Sequence, residues 1–370
     1  MPLYLWATIV FAIVIALSAS VYNAPRVATA PPTQNTIETV TDEEVVWGDV
    51  PTASEPVVEA SPFVEPAQPA ATTPISQPPA SQPVAVAVQP TQSEFESAAE
   101  ALRAALVNIF CISGRRDIIS ISGSGVIVDP RGIIITNAHI AQYFLLAGDP
   151  ALEVSCMIRA GSPAKDLYRG SLMFLPPSWV AQNADILTKD DPTGNGEYDF
   201  AFIAITGSAT ASSLPSIFAH VPLGEGDAHA LEPVIIGAYA AQFLSSSQLQ
   251  SALFPTLVYG SIKEVFTFVA TTIDVITLGG SAAAQEGSSG GGVARTDGTL
   301  GGLITTSTIE GDTSARTLGG ITALYIRRAY EAETGTTLTT LMSKSPVEAA
   351  ASFAPQIPAL RALLTAALSQ

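Results

Sequence analysis

The composition of this chain changes abruptly near residue 93, and this change restricts any packed fold to the residues that follow. Residues 23–93 are rich in Pro, Ala, Thr, Ser, Gln and Val, and Arg26 is their only basic residue. Repeated prolines block both helix and strand. A segment of this kind buries too little apolar surface to offset its ordering entropy. We predict an extended, disordered linker here, with a partner groove for its prolines as the alternative role.

The first residues are apolar and precede the linker. Residues 3–20 carry no charge and are about long enough to cross a bilayer core. No Lys or Arg precedes them, as a signal peptide would normally show, yet Ser18, Ala19 and Ser20 would suit cleavage. The length favours an anchor. We therefore expect residues 1–22 to form a single-pass membrane anchor with the remainder extracytoplasmic, or secreted if the segment is cleaved.

The overall composition limits the partners. With 47% hydrophobic and 13% charged residues, the 370-residue chain can build a sizeable core. Its net charge of -17 argues against nucleic acid, because a polyanion would be repelled. No cofactor and no metal site are predicted.

One glycine-rich stretch carries chemistry. Residues 286–293 read Glu-Gly-Ser-Ser-Gly-Gly-Gly-Val, which places the Ser289 hydroxyl on a tight turn. Backbone N–H groups of such a turn can point at the same spot as the serine oxygen, which is the arrangement of an oxyanion hole beside a nucleophile.

Two upstream blocks supply the groups that a serine nucleophile needs. Residues 123–139 predict a strand, an Asp-Pro-Arg-Gly turn and a second strand that ends at His139. Asp199 opens an apolar run typical of a buried strand. A serine hydroxyl needs a base to take its proton, and histidine suits that role.

These three blocks resemble the trypsin-like, chymotrypsin-fold serine peptidases, most closely the bacterial HtrA/Deg branch. That branch reads Gly-Ser-Gly, a hairpin and Leu-Thr-Asn-x-His, then Asp-hydrophobic-Ala, then Gly-Asn-Ser-Gly-Gly. The resemblance spans roughly residues 105–330 and implies a catalytic triad of His139, Asp199 and Ser289. Asp199 would fix the imidazole tautomer, and the N–H groups of Gly287 and Ser289 would hold the oxyanion, each contributing about 3 kcal/mol.

The resemblance also implies a pocket for the side chain before the scissile bond. Its base would be Ala283, six residues before Ser289, and its wall would come from Thr305, Thr306 and Ser307. This uncharged pocket favours small or medium apolar side chains over Arg or Lys.

The two cysteines, Cys111 and Cys156, fall in the first half of this region. A secreted setting permits a disulfide between them, which could contribute about 3 to 4 kcal/mol to stability. Two buried free thiols are the alternative.

The fold expected for residues 94–332 is all-β, with two antiparallel six-stranded barrels and the active site between them. The strands that we predict are 118–128, 132–136, 152–160, 168–174 and 199–206 in the first barrel, and 232–239, 257–268, 271–278, 292–295, 301–306 and 319–325 in the second.

Helices are expected at both ends of the domain. A capping box at Ser93 to Glu96 would begin a helix whose apolar face runs from Phe95 to Ile109. Residues 333–370 would form a helical tail that docks on the barrel, with Ser345 as a helix cap and another helix opening at Pro358. This tail is too short for the PDZ domain usual in the HtrA branch.

The sequence therefore predicts a membrane-tethered, extracytoplasmic serine endopeptidase acting on protein or peptide substrates, with homo-oligomers possible by the same resemblance. The alternative is a weak or inactive module that binds peptides or unfolded proteins, since Ser288 and Gly292 replace the Asn or Asp and the Pro usual around the nucleophile. Self-processing that frees the domain from its linker would be compatible with the first reading.

Overall fold

The computed structural model describes residues 90–189, 194–268, 271–307 and 312–368, with the backbone alone at 188, 306 and 307. All of these described residues belong to one compact unit. The predicted anchor at 1–22 and nearly all of the predicted linker at 23–93 lie outside the described residues. Within the described ranges, no helix is both long enough and apolar enough to span a bilayer.

The first part of the domain is a closed six-stranded barrel with strand order β1-β2-β3-β6-β5-β4. Closure pairs every strand on both sides and leaves no free edge. The antiparallel pairing of β3 with β6 sets Thr136 opposite Ala201, so the chain segments flanking these residues meet at one end of the barrel. The strands are β1 (Leu106–Ser113), β2 (Ile121–Asp129), β3 (Ile133–Thr136), β4 (Val154–Ala160), β5 (Lys165–Phe174) and β6 (Ala201–Ser208).

The barrel begins earlier than predicted. Helix α1 (Gln92–Ala105) ends before Leu106, which is extended at φ -67° and ψ 138°. The predicted helical face ran on to Ile109, but Leu106 and Ile109 lie in β1, where hydrogen bonds to β2 and β4 on both sides outweigh local helical periodicity. The capping box also lies two residues earlier than predicted, between Thr91 and Glu94.

The second part is a seven-stranded antiparallel sheet in the order β8-β7-β11-β12-β13-β10-β9. Our prediction of a second closed six-stranded barrel was therefore wrong. The predicted strand 257–268 is divided into β8 and β9, which form the two edges of the sheet. The division falls at Ile262, whose N–H donates to Glu232 O, and Lys263, whose N–H donates to Thr277 O on the opposite side. The sheet therefore curls until one bent stretch of chain borders both of its edges. Its strands are β7 (Pro233–Ala238), β8 (Thr256–Ser261), β9 (Glu264–Phe266), β10 (Val275–Thr277), β11 (Gly292–Arg295), β12 (Leu300–Ser307) and β13 (Leu318–Thr322).

Helices lie at both ends of the domain and within several of the connections between strands. The predicted strand 319–325 stops at Thr322, whose side chain caps a helix that we did not predict. The tail packs on the first barrel as expected, with Phe353 against Phe174 and the Arg361 guanidinium donating to Leu145 O. The helices are α2 (Ala138–Ala141), α3 (Tyr143–Leu146), α4 (Pro177–Gln182), α5 (Ser246–Ser251), α6 (Ala323–Thr334), α7 (Leu338–Ser343), α8 (Pro346–Phe353) and α9 (Ile357–Leu368).

A buried carboxylate joins α6 to the second sheet. Asp274 is 2% exposed, and it accepts hydrogen bonds from the Phe268 N–H, from Thr267 and Thr272, and from Arg328. Burial alone would raise the pKa of Asp274. The hydrogen bonds and the nearby Arg328 charge together lower the pKa by more than burial raises it, so the net pKa lies below the usual value of aspartate.

The disulfide prediction is confirmed. Cys111 on β1 lies directly opposite Cys156 on β4, and the two form a disulfide with a Cα–Cα separation of 4.0 Å. The bond therefore links neighbouring strands of the first barrel, and the free-thiol alternative is wrong.

Candidate active site

His139 lies just beyond the end of β3, in the first turn of α2. Asn137 is extended at φ -75° and ψ 154° and leads the chain into the helix. Its side-chain amide donates to Asp199 O at 2.9 Å, which joins this segment to the chain entering β6. The His139 side chain remains 19% exposed. The imidazole can therefore be reached from solvent while its backbone is fixed.

Asp199 holds His139 through both of its carboxylate oxygens. Oδ1 accepts from the His139 backbone N–H at 3.0 Å, and Oδ2 lies 2.8 Å from His139 Nδ1. An ionised carboxylate can only accept hydrogen bonds, so the ring nitrogen facing it carries the proton. The other ring nitrogen, Nε2, then presents a lone pair, as a general base requires. Asp199 is only 6% exposed, so this pairing is shielded from water.

The turn that carries Ser289 packs against the end of β3. Ser289 O accepts from Ser124 N–H on β2 at 2.8 Å. Gly290 has φ +83°, and a Cβ there would lie 2.0 Å from Ser124 O and 2.5 Å from Thr136 Oγ1. Only glycine fits so close a backbone approach. The turn therefore lies beside Thr136, which is three positions before His139 in the sequence.

The two serines of this turn have different environments. Ser289 is partly exposed, whereas Ser288 is 1% exposed and its hydroxyl has no hydrogen-bond partner in the described part of the chain. Among the described residues, the side-chain hydrogen bond of His139 goes to Asp199 and none goes to Ser289. Such bonds are often long in substrate-free peptidases and shorten when substrate binds. Of the two hydroxyls, only that of Ser289 is placed to reach a substrate.

The backbone N–H groups of the turn are divided between internal bonds and free donors. The N–H of Ser288 donates to Gln285 O, that of Gly290 to Ile304 O and that of Gly291 to Ser288 O. Those of Gly287 and Ser289 have no acceptor in the described ranges. Two donors therefore remain available beside the serine, at the positions that the sequence predicts for an oxyanion hole.

The direction of the Gly287 N–H is set by its neighbouring peptide. Glu286 O accepts from Ala241 N–H at 2.8 Å. Since C=O and N–H point in opposite directions in a trans peptide, the Gly287 N–H points away from Ala241. Gly287 has φ +87°, and a Cβ there would lie 2.7 Å from Tyr239 O, so only glycine suits this position.

The departure at Gly292 has a packing explanation. A Cβ at this position would lie 2.8 Å from Leu300 Cδ1, 2.9 Å from Val126 Cγ2 and 3.1 Å from Leu102 Cδ1. The space that a larger residue would need is filled by side chains from both sheets and α1. The substitution therefore concerns core packing and leaves the Ser289 turn in place.

The predicted pocket residues are only partly described. Ala283 is fully buried and Thr305 is 6% exposed. Thr305 Oγ1 lies 3.2 Å from the place where a Cβ of Gly196 would be, so this residue borders the chain just before Asp199. The side chains of Thr306 and Ser307 lie outside the described residues, and their backbone is the end of β12.

Sequence reasoning missed the groups that support the turn. Ser124 lies in the Gly-Ser-Gly motif, and its hydroxyl donates to Gly287 O at 2.7 Å. The Thr136 hydroxyl in turn donates to Ser124 O at 2.7 Å. The Gly-Ser-Gly motif can be recognised in the sequence, but nothing local in the sequence links Ser124 to Gly287.

Comparison with known proteins gives one family match and several similar solved structures. Residues 123–303 match the model of the trypsin-like peptidase domain. Among solved structures, the active form of the Rv3671c protease from M. tuberculosis is 18% identical, with a TM-score of 0.42 over 71% of this chain and 95% of that one. Its inactive form is 16% identical, with a TM-score of 0.40 over 67% and 98%. A search of curated proteins gives no significant match.

Residues 123–303 thus match a trypsin-like peptidase domain. By class this is the hydrolase domain of a serine endopeptidase, and it contains the histidine, the aspartate and the serine described above.

Proposed function

We propose that this chain hydrolyses internal peptide bonds of protein substrates through an acyl-enzyme on Ser289. The observation that carries the proposal is the fixed imidazole. His139 is held by Asp199 at 3.0 Å through its backbone and at 2.8 Å through Nδ1, which leaves Nε2 as the base. The adjoining turn offers a partly exposed hydroxyl and two unused N–H donors.

The reaction follows from these positions. Ser289 Oγ attacks the substrate carbonyl carbon, its proton passes to His139 Nε2, and the carbonyl oxygen becomes an oxyanion held by the N–H groups of Gly287 and Ser289. Collapse breaks the C–N bond, and the imidazolium returns the proton to the leaving amine. Water then attacks the ester by the same route and releases the acid and free Ser289. The negative charge of Asp199 stabilises the imidazolium in both halves.

Point variants test these roles directly. We expect Ser289→Ala and His139→Ala to abolish cleavage of a denatured protein substrate, because each removes a reacting group. The matched controls are Ser212→Ala and His229→Ala, both at exposed positions outside the glycine-rich stretch at 286–293. Equal activity in Ser289→Ala and Ser212→Ala would contradict the proposal.

The substrate preference that we propose is a small or medium apolar residue before the scissile bond. Ala283 supports it, because no carboxylate stands at the predicted base of the pocket to attract Arg or Lys. Peptides that differ only at this residue should show kcat/KM at least about 10-fold higher for Ala or Val than for Arg. A preference for Arg or Lys would exclude Ala283 as the base of the pocket.

We also propose that the peptidase domain is tethered outside the cytoplasm by residues 1–22. Two observations support this: the uncharged stretch at residues 3–20, and the disulfide between Cys111 and Cys156, which persists in oxidising compartments. Membrane fractions washed with alkaline carbonate should retain the full-length chain. Recovery of a soluble chain that starts after residue 20 would show instead that the segment is a cleaved signal peptide.

A peptide-binding module without catalysis is the second candidate. The unpartnered, buried hydroxyl of Ser288 and the missing bond between Ser289 and His139 favour it. It requires that the folded wild-type chain bind peptides without turnover and without forming an acyl-enzyme. Turnover that depends on Ser289 excludes it.

A further inference from the structure

Ser124 connects the first barrel to the Ser289 turn. It is fully buried on β2, and both its hydroxyl and its backbone make hydrogen bonds to other elements. We propose that the Ser124 hydroxyl is a positioning group that holds Gly287 in the conformation needed for the oxyanion hole. This inference rests on the proposed function and adds to it a residue that touches neither the substrate nor the reacting atoms.

The hydroxyl of Ser124 forms a relay between two chain segments. The Tyr239 backbone N–H donates to Ser124 Oγ at 2.8 Å, and Ser124 Oγ donates to Gly287 O at 2.7 Å. Tyr239 directly follows β7 in the second sheet. One hydroxyl from the first barrel therefore joins the second sheet to the turn and uses its single proton on Gly287.

Gly287 needs this support because it is a pivot. It has no side chain and sits at φ +87°, so the peptides on either side can rotate at little steric cost. The preceding peptide is fixed by the bond from Ala241 N–H to Glu286 O at 2.8 Å. The following peptide is held at Gly287 O by Ser124 at 2.7 Å and at the Ser288 N–H by Gln285 O at 3.2 Å. With both peptides held, the Gly287 N–H keeps one direction; without the Ser124 bond, the following peptide keeps only the longer bond to Gln285 O.

The backbone of Ser124 has separate partners. Its N–H donates to Ser289 O at 2.8 Å, and its carbonyl accepts from Thr136 Oγ1 at 2.7 Å. These bonds do not involve the hydroxyl and are available to any residue at position 124. A Ser124→Ala variant therefore removes the relay alone and keeps the contacts that seat Ser289 beside β3.

The first arm of the test is kinetic. We expect Ser124→Ala to lower kcat about 10- to 100-fold, which is less than the loss from removing a whole oxyanion donor. KM should stay within about threefold, because the relay acts on the transition state. The matched control is Ser122→Ala on the same strand, whose hydroxyl accepts from Asn108 and should keep the wild-type kcat. Equal kcat in Ser124→Ala and wild type would overturn the inference.

The second arm does not depend on activity. Hydrogen exchange of the full-length chain, followed by mass spectrometry, should show faster exchange in peptides covering residues 239–241 and 286–290 for Ser124→Ala but not for Ser122→Ala. If Ser124→Ala does not fold, Ser124→Cys keeps the size of the side chain with weaker hydrogen bonds and should show the same pattern. An inert wild type would refute the proposed function, whereas unchanged exchange at both segments would refute the relay.

Discussion

Replacing Asp199 by Asn isolates the role of this carboxylate, because the two side chains have nearly the same shape. Asp199 Oδ1 accepts from the His139 backbone N–H at 3.0 Å, and Oδ2 faces His139 Nδ1 at 2.8 Å. In Asp199→Asn the amide oxygen can keep the first bond, which turns the NH₂ group toward Nδ1. An amide NH₂ only donates, so Nδ1 must become the acceptor and the ring proton must move to Nε2.

The size of the effect follows from that tautomer. An imidazole protonated at Nε2 cannot take the proton of Ser289, and the imidazolium also loses its ionised partner. The corresponding substitution in a trypsin lowers kcat about 10⁴-fold, and at about 1.36 kcal/mol per tenfold this is a barrier increase of roughly 5 kcal/mol. We expect a loss of this order here, because the carboxylate is buried and makes both bonds to one residue.

The assay is peptide hydrolysis at neutral pH together with the rate of labelling by a fluorophosphonate. Both rates should fall in parallel while KM changes little, because the lost interaction is used in the transition state. Asp185→Asn is the control, since the ion pair of Asp185 with Lys189 is exposed on both sides and of small energetic value. A loss below about tenfold in a folded Asp199→Asn protein would refute the assignment of Asp199.

Three further variants test separate parts of the structure. Gly287→Ala places a Cβ 2.7 Å from a carbonyl oxygen at φ +87°, so kcat for peptide hydrolysis should fall at least about 100-fold; an unchanged kcat would show that the oxyanion is held elsewhere. Replacing Cys111 and Cys156 together by Ala removes a link across 45 residues and should lower the free energy of unfolding by about 4 kcal/mol in urea titrations, whereas a loss below about 1 kcal/mol would contradict the chain-entropy argument. The pKa of Asp274 is lowered in the folded state, so its contribution to stability is present above the unfolded pKa of the carboxyl and is lost as the pH falls through the folded pKa. Unfolding measured from neutral to acid pH should therefore depend less on pH in Asp274→Asn, and parallel curves would contradict this.

The secondary structure could be predicted where local and tertiary preferences agree. Strand β11 runs from Gly292 to Arg295 as predicted, because a glycine run on one side and a turn on the other define it. Residues 106–109 were misassigned because Leu106 and Ile109 are three positions apart, which also fits a helix. These residues form a strand because they pair with β2 and β4, which lie further along the chain. The curl of the second sheet depends on the bend at Ile262 and Lys263, for which the sequence has no local signal.

The candidate site could likewise be predicted only in part. His139, Asp199 and Ser289 each lie in a short block with recognisable chemistry, so their roles could be proposed from the sequence. The Ser124 hydroxyl reaches Gly287 across 163 positions, and this contact depends on how the two sheets pack. Such supporting contacts require coordinates, because neither periodicity nor spacing records them.

The most direct measurement of the central claim is identification of the residue that reacts with a fluorophosphonate. The probe is added to the full-length chain, and the adduct is mapped by peptide mass spectrometry in wild type, Ser288→Ala and Ser289→Ala. We expect one adduct on Ser289 in wild type and Ser288→Ala, since Ser288 is 1% exposed, and none in Ser289→Ala. Labelling that persists in Ser289→Ala, or a folded wild type that never reacts, would contradict the claim that Ser289 is the nucleophile.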